Sequence, residues 1–119
     1  GTIVIHGDGN QTRDYVFVED VVEAMVSAST APDVDRLTIN VGSGTETNIK
    51  DRSRLAIEVT GGRPEIVYNP RNEGGLSRLC ADLRLAREKL GYEPRTSLID
   101  GLRLTMEHDI HPFPPAEEK

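Results

Sequence analysis

Tryptophan is absent, and two Phe and three Tyr make up the whole aromatic complement. Any core must therefore be assembled from Val, Ile, Leu and Ala. The single cysteine, Cys80, has no partner for an internal disulfide. That excludes a disulfide scaffold and suits a reducing compartment, so the cytoplasm is the expected location. Long apolar runs are lacking too: none approaches the ~20 residues of a membrane span, and no membrane partner is expected. Basic residues are in deficit, 14 Lys plus Arg against 20 Asp plus Glu, with a net charge of −6 and a pI of about 5.0. This balance argues against a nucleic-acid partner. The opening "GTIVIHGDG" has no basic region leading a long apolar stretch, so it is not a signal peptide. It reads as a strand entered abruptly, as from inside a larger unit.

What is present suits one modest α/β or α+β domain of 119 residues. The β-branched run Thr2–Ile5 ends in the turn signal Gly7-Asp8-Gly9-Asn10. The spacing predicts further strands over Tyr15–Val18, Leu37–Val41 and Glu65–Tyr68. A helix is predicted from Glu19, with Glu19 and Asp20 as first-turn acids and Pro32 beyond its end. Asn48 with Asp51 forms a capping-box pattern for a second helix, stopped by Gly61-Gly62. Asp82 is expected to cap the short helix "LRLAREKL", closed by Gly91. Ser97 with Asp100 is expected to cap a last helix reaching about His108. Residues 1–108 are taken as the folded unit and 109–119 as a Pro-rich acidic tail. Four short strands are too few for a complete doubly wound sheet, which points to a piece of a larger α/β protein.

Three stretches invite a chemical reading. "GSGTET", Gly42–Thr47, lies between a predicted strand and a predicted helix, where a dinucleotide-binding turn would sit. Its third Gly is missing and no acid ends the following strand, so a plain tight turn is favoured. In "GDGNQTRDYVFVEDVVEA", Arg13 and Tyr15 would share one face of a strand, with Asp14 on the other. A guanidinium and a phenol side by side suit a phosphate ligand; the plain alternative is a surface ion pair. The loop "RNEGG" with Arg71 and Arg78 offers backbone N–H groups and charge to an anion, or is simply solvated. His108 and His111 are three apart, but no further Cys or His completes a metal set. Cys80 is expected to be a small core residue rather than a nucleophile.

Taken in order, "GDGNQTRDYVFVEDVVEA", "TINVGSGTETNIKD" and "CADLRLAREKLGYEPRTSLIDGL" resemble the C-terminal part of NAD-dependent nucleotide-sugar epimerases and dehydratases. These are the extended short-chain dehydrogenase/reductases. UDP-glucose 4-epimerase and dTDP-glucose 4,6-dehydratase are familiar members, and a 4-epimerase-like activity is slightly preferred. The resemblance implies an α/β fold: the C-terminal substrate-binding portion, with the N-terminal Rossmann NAD domain absent. It implies a nucleoside diphosphate sugar as ligand and the missing Rossmann domain as partner. It also implies that Arg13 binds the diphosphate and Tyr15 lines the nucleotide site, with Asp14 anchoring the backbone. NAD belongs to the complete enzyme, and none is expected to bind this chain. Hydride transfer in the family needs a GxxGxxG turn and a Tyr-x-x-x-Lys pair. Here Tyr15 is followed four later by Glu19, Tyr68 by Asn72 and Tyr92 by Thr96. The chain is therefore expected to be inactive alone.

The loop departs from the family pattern. An Arg-x-Gly-Asp/Glu segment is expected eight residues before Cys80, where Asn72-Glu73-Gly74-Gly75 stands instead. Asn72 occupies the arginine position, and Arg71, one residue upstream, is the alternative phosphate ligand. Two readings from other classes compete: a non-catalytic truncated remnant, and a homo-oligomer formed through apolar surface. Loss of sheet partners is expected at Thr2–Ile5 and Leu37–Val41.

Overall fold

The computed structural model describes residues 1–71 and 76–109. Its element order is β1 (Thr2–His6), β2 (Thr12–Asp14), α1 (Val18–Thr30), β3 (Glu46–Asn48), α2 (Ile49–Thr60), β4 (Glu65–Asn69), α3 (Arg84–Leu90) and α4 (Leu98–Glu107). Among the described residues the strands form two separate pairs. β1 and β4 run parallel, with Thr2 opposite Glu65 and His6 opposite Asn69. β2 and β3 run antiparallel, with Thr12 opposite Asn48, Arg13 opposite Thr47 and Asp14 opposite Glu46. Helix α2 lies against α4, and α1 against α3.

The helix ends follow local chemistry. The Asn48 side chain accepts from the Asp51 N–H, and Gly61 closes α2 in the left-handed region. Ser97 caps α4 by accepting from the Asp100 N–H. Gly91 stops α3 in the same left-handed way as Gly61. Leu83, not Asp82, is the N-cap of α3, although the Asp82 carboxylate still accepts from the Arg84 N–H at 3.0 Å. The core is small: Ala24 of α1, Leu83, Ala86 of α3 and Tyr92 cluster together, with Ile39, Val41, Ala81 and Leu90 packed on them.

Two predicted strands are displaced. The second lies over Thr12–Asp14, three residues before Tyr15–Val18, because Glu46–Asn48 supplies the partner there. Phe17 instead packs on Gly101 of α4, where a Cβ would lie 3.2 Å from its ring. Leu37–Val41 joins neither sheet among the described residues; Ile39 and Val41 pack on the Ala24 cluster instead. Thr2–Ile5 does find a partner, in β4. No described helix is long and apolar enough to cross a membrane.

Candidate functional site

The edge around β2 is organised by Asp14. Its carboxylate accepts from the Ser43 N–H at 2.7 Å, the Ser43 hydroxyl at 2.5 Å, the Gly44 N–H at 2.9 Å and the Ala81 N–H at 3.1 Å. Burial acts to raise its pKa. The bonds from Ser43, Ala81 and Gly44 outweigh burial and hold the carboxyl below its ordinary 3.8. The anion-receptive N–H groups of the Gly42–Thr47 turn are thus taken by the chain's own carboxylate. The turn is thereby clasped to β2 through Asp14. Gly42 is required by the close approach: a Cβ there would lie 2.5 Å from Asp14 Oδ2 and 2.7 Å from Ala81 Cβ.

Arg13 is half-buried and leaves β2 toward the segment that follows residues 72–75. Its Nη1 donates to the carbonyls of Thr12 at 2.7 Å and Leu76 at 2.8 Å. The same segment is zipped to β2 by main-chain bonds, Thr12 N–H to Ser77 O at 2.9 Å and Leu79 N–H to Thr12 O at 3.2 Å. Arg78 pairs with Glu46 of β3. Arg71 is exposed, and its backbone N–H donates to Asn69 Oδ1 at 3.2 Å. Asn72 lies outside the described residues.

Tyr15 sits just past the end of β2, outside the ladder that holds Arg13. It turns to the start of α2 instead. Arg52 Nη1 donates to its phenol oxygen at 3.2 Å, and the guanidinium carbon lies 5.2 Å from the ring centre. A phenol that accepts from a guanidinium keeps its own O–H to donate. Beside it opens a cleft of about 280 Å³ lined by Tyr15, Thr45, Thr47, Arg95 and Thr96, among others. Asp20 fixes the far wall: it is buried, and its two carboxylate oxygens accept from the Arg95 and Thr96 N–H groups at 3.1 Å each.

Sequence reasoning missed Arg52 and the clasp made by Asp20. Arg52 and Tyr15 are 37 apart, and no spacing rule links them. Asp20 read as a first-turn acid, which it also is. One expectation is overturned: Cys80 is exposed rather than in the core, because the segment 76–80 lies on the surface of β2. Desolvation, followed by Asp14 and Glu46, raises its thiol pKa, which weakens it further as a nucleophile. No three metal-ligating side chains converge among the described residues.

The family model for GDP-mannose 4,6 dehydratase matches residues 1–105. The chain belongs to that family. The family's curated relatives include a UDP-glucose 4-epimerase of Mycolicibacterium smegmatis, 40% identical over 106 residues, which cover 89% of this chain and 34% of the relative. The crystal structure of UDP-glucose 4-epimerase from Thermotoga maritima with UDP-glucose superposes with a TM-score of 0.81 at 40% identity. It covers 90% of this chain, which covers 34% of it. A UDP-glucuronic acid 4-epimerase of Bacillus cereus, in complex with UDP-glucuronic acid and NAD, is 28% identical with a TM-score of 0.76. That match covers 85% of this chain and 32% of the Bacillus protein. The chain therefore spans about a third of the length of the relatives it matches. Its mixed α/β fold is that of this third.

Proposed function

We propose that residues 1–108 form the nucleotide-sugar-binding portion of an NAD-dependent epimerase, with UDP-glucose or a related sugar nucleotide as ligand. The cofactor domain would lie elsewhere in the same cytoplasmic protein. The observation that carries the reading is the Arg13 guanidinium, held at a fixed place on β2 by the Leu76 and Thr12 carbonyls. A planar guanidinium so oriented suits a diphosphate oxygen pair. Tyr15, steadied by Arg52, adds a donor for a ribose or phosphate oxygen, and Arg71 and Asn72, in the loop sequence after β4, are the further diphosphate ligands of this reading. The 40% identity to UDP-glucose 4-epimerases supports the choice of sugar nucleotide.

The chain's own residues bind and orient in this reading; none performs the hydride step. NAD, when bound by the complete enzyme, supplies reversible oxidation of the sugar. The Gly42–Thr47 turn does not fit the cofactor, because Asp14 fills it.

Calorimetric titration tests the reading. UDP should bind the 119-residue chain weakly. Arg13→Ala should weaken that binding by at least about tenfold, as expected for loss of a charge-assisted pair. Arg52→Ala should weaken it about threefold, the scale of an exposed cation–π contact. Wild-type affinity in Arg13→Ala would end the assignment.

A further inference from the structure

The segment 76–80 meets β2 through a single parallel bridge, Thr12 opposite Arg78. Two main-chain bonds accompany it. The Thr12 N–H donates to Ser77 O at 2.9 Å, and the Leu79 N–H donates to Thr12 O at 3.2 Å. A ladder that short does not support itself in water. Arg13 is nonetheless oriented by it. Its Nη1 donates to Leu76 O, in this segment, and to Thr12 O, the same carbonyl that receives the Leu79 N–H. A slip of 76–80 along β2 therefore moves the frame that aims the guanidinium.

A side chain on β3 fastens the segment to the sheet. Glu46 opens β3, opposite Asp14. Its Oε1 accepts from Arg78 Nε and from Thr12 Oγ1, the latter at 3.4 Å. One carboxylate oxygen thus ties β3, β2 and the segment together. The Glu46 side chain is 32% exposed and that of Arg78 is 73% exposed. A pair so open to water adds little to global stability. Its consequence is local, in the register of 76–80 on Thr12.

We infer that Glu46 is a positioning residue for the nucleotide-sugar site. Through Arg78 it holds residues 76–79 on β2, and through Leu76 O it sets the direction of Arg13. The inference rests on the reading above that Arg13 receives the diphosphate. It gives an acid a favourable part in binding an anion. Coulomb repulsion alone gives the opposite result, because a carboxylate one strand away disfavours a diphosphate. The two effects differ in sign, so one substitution separates them.

Glu46→Met removes the charge and the acceptor while keeping an unbranched side chain. Calorimetric titration with UDP, and amide exchange followed by NMR, are read on the 119-residue chain. Glu46→Met should weaken UDP binding about threefold, the scale of one exposed ion pair. It should speed exchange of the Thr12 and Leu79 amides at least about threefold, with the melting midpoint nearly unmoved. Arg78→Met breaks the same pair from its exposed side and should speed the same two amides, which keeps the test sharp if Glu46→Met folds poorly. The charge-swapped pair, Glu46→Arg with Arg78→Glu, should restore most of the lost affinity and protection. UDP affinity unchanged or raised in Glu46→Met would overturn the inference, and would leave the Arg13 assignment standing. So would unchanged exchange at Thr12 and Leu79 in both single variants. A wild-type chain silent toward UDP would end the ligand reading and the aiming of Arg13 with it; the exchange rates would still decide whether Glu46 fastens the segment.

Discussion

The Asp14 carboxylate closes four bonds onto two loops, so removing it unties both. Asp14→Ala leaves the Ser43, Gly44 and Ala81 N–H groups without their acceptor, at a cost of about 2–3 kcal/mol. Differential scanning calorimetry should show a midpoint roughly 8–15 °C lower. Asp14 also sets an acid limb. Its folded pKa lies below the ordinary 3.8, so its stabilisation is complete above about pH 4 and is lost as pH falls through the folded value. Asp14→Asn should flatten that limb and leave the alkaline side unmoved. Its neighbour in the chain, Arg13, turns the other way and reaches Leu76. The opposite sides of Arg13 and Asp14 were legible from strand alternation. The partners were not, because Ser43, Leu76 and Ala81 are brought there from 29 to 67 residues away.

The helix caps at Asn48 and Ser97 were readable because each is closed by an acceptor three residues before its donor. Contacts that short need no tertiary help. The glycines differ in kind. Gly61 and Gly91 end helices in left-handed backbone and are local. Gly42 is small because β2 and the Ala81 segment crowd it. Gly42→Ala should therefore cost about 1–3 kcal/mol in urea unfolding. Gly62→Ala meets only ordinary contacts, at 3.6 Å and beyond, and should stay within about 0.5 kcal/mol of wild type. The strand predicted at Tyr15–Val18 failed at this scale. Its propensity was real, but ladder bonds come from a partner, and Glu46–Asn48 pairs with the three residues before it.

For the whole molecule, the small core and the two separate strand pairs correspond to about a third of the length of the relatives, and the proposed reading places the cofactor outside that third. This separates the two ligands. NAD added to the 119-residue chain should give no heat and no thermal shift at concentrations where UDP gives both. Tight NAD binding by this chain would place the cofactor on the wrong part of the protein. The order of the motifs from "GDGNQTRDYVFVEDVVEA" to "EKLGYEPRTSLIDGL" carried the family membership, which the match over residues 1–105 shows. By itself the amino-acid sequence determined the helices, the caps at Asn48 and Ser97, the β1 and β4 strand segments and the acid between Arg13 and Tyr15, all of which depend on residues within a few positions of one another. Only the tertiary structure decided that Asp14 would occupy the Gly42–Thr47 turn, that Arg52 would hold Tyr15 and that Leu37–Val41 would stand outside both sheets. Those outcomes depend on which distant segments arrive side by side, and that is settled by packing and ladder pairing across the fold rather than by local preference.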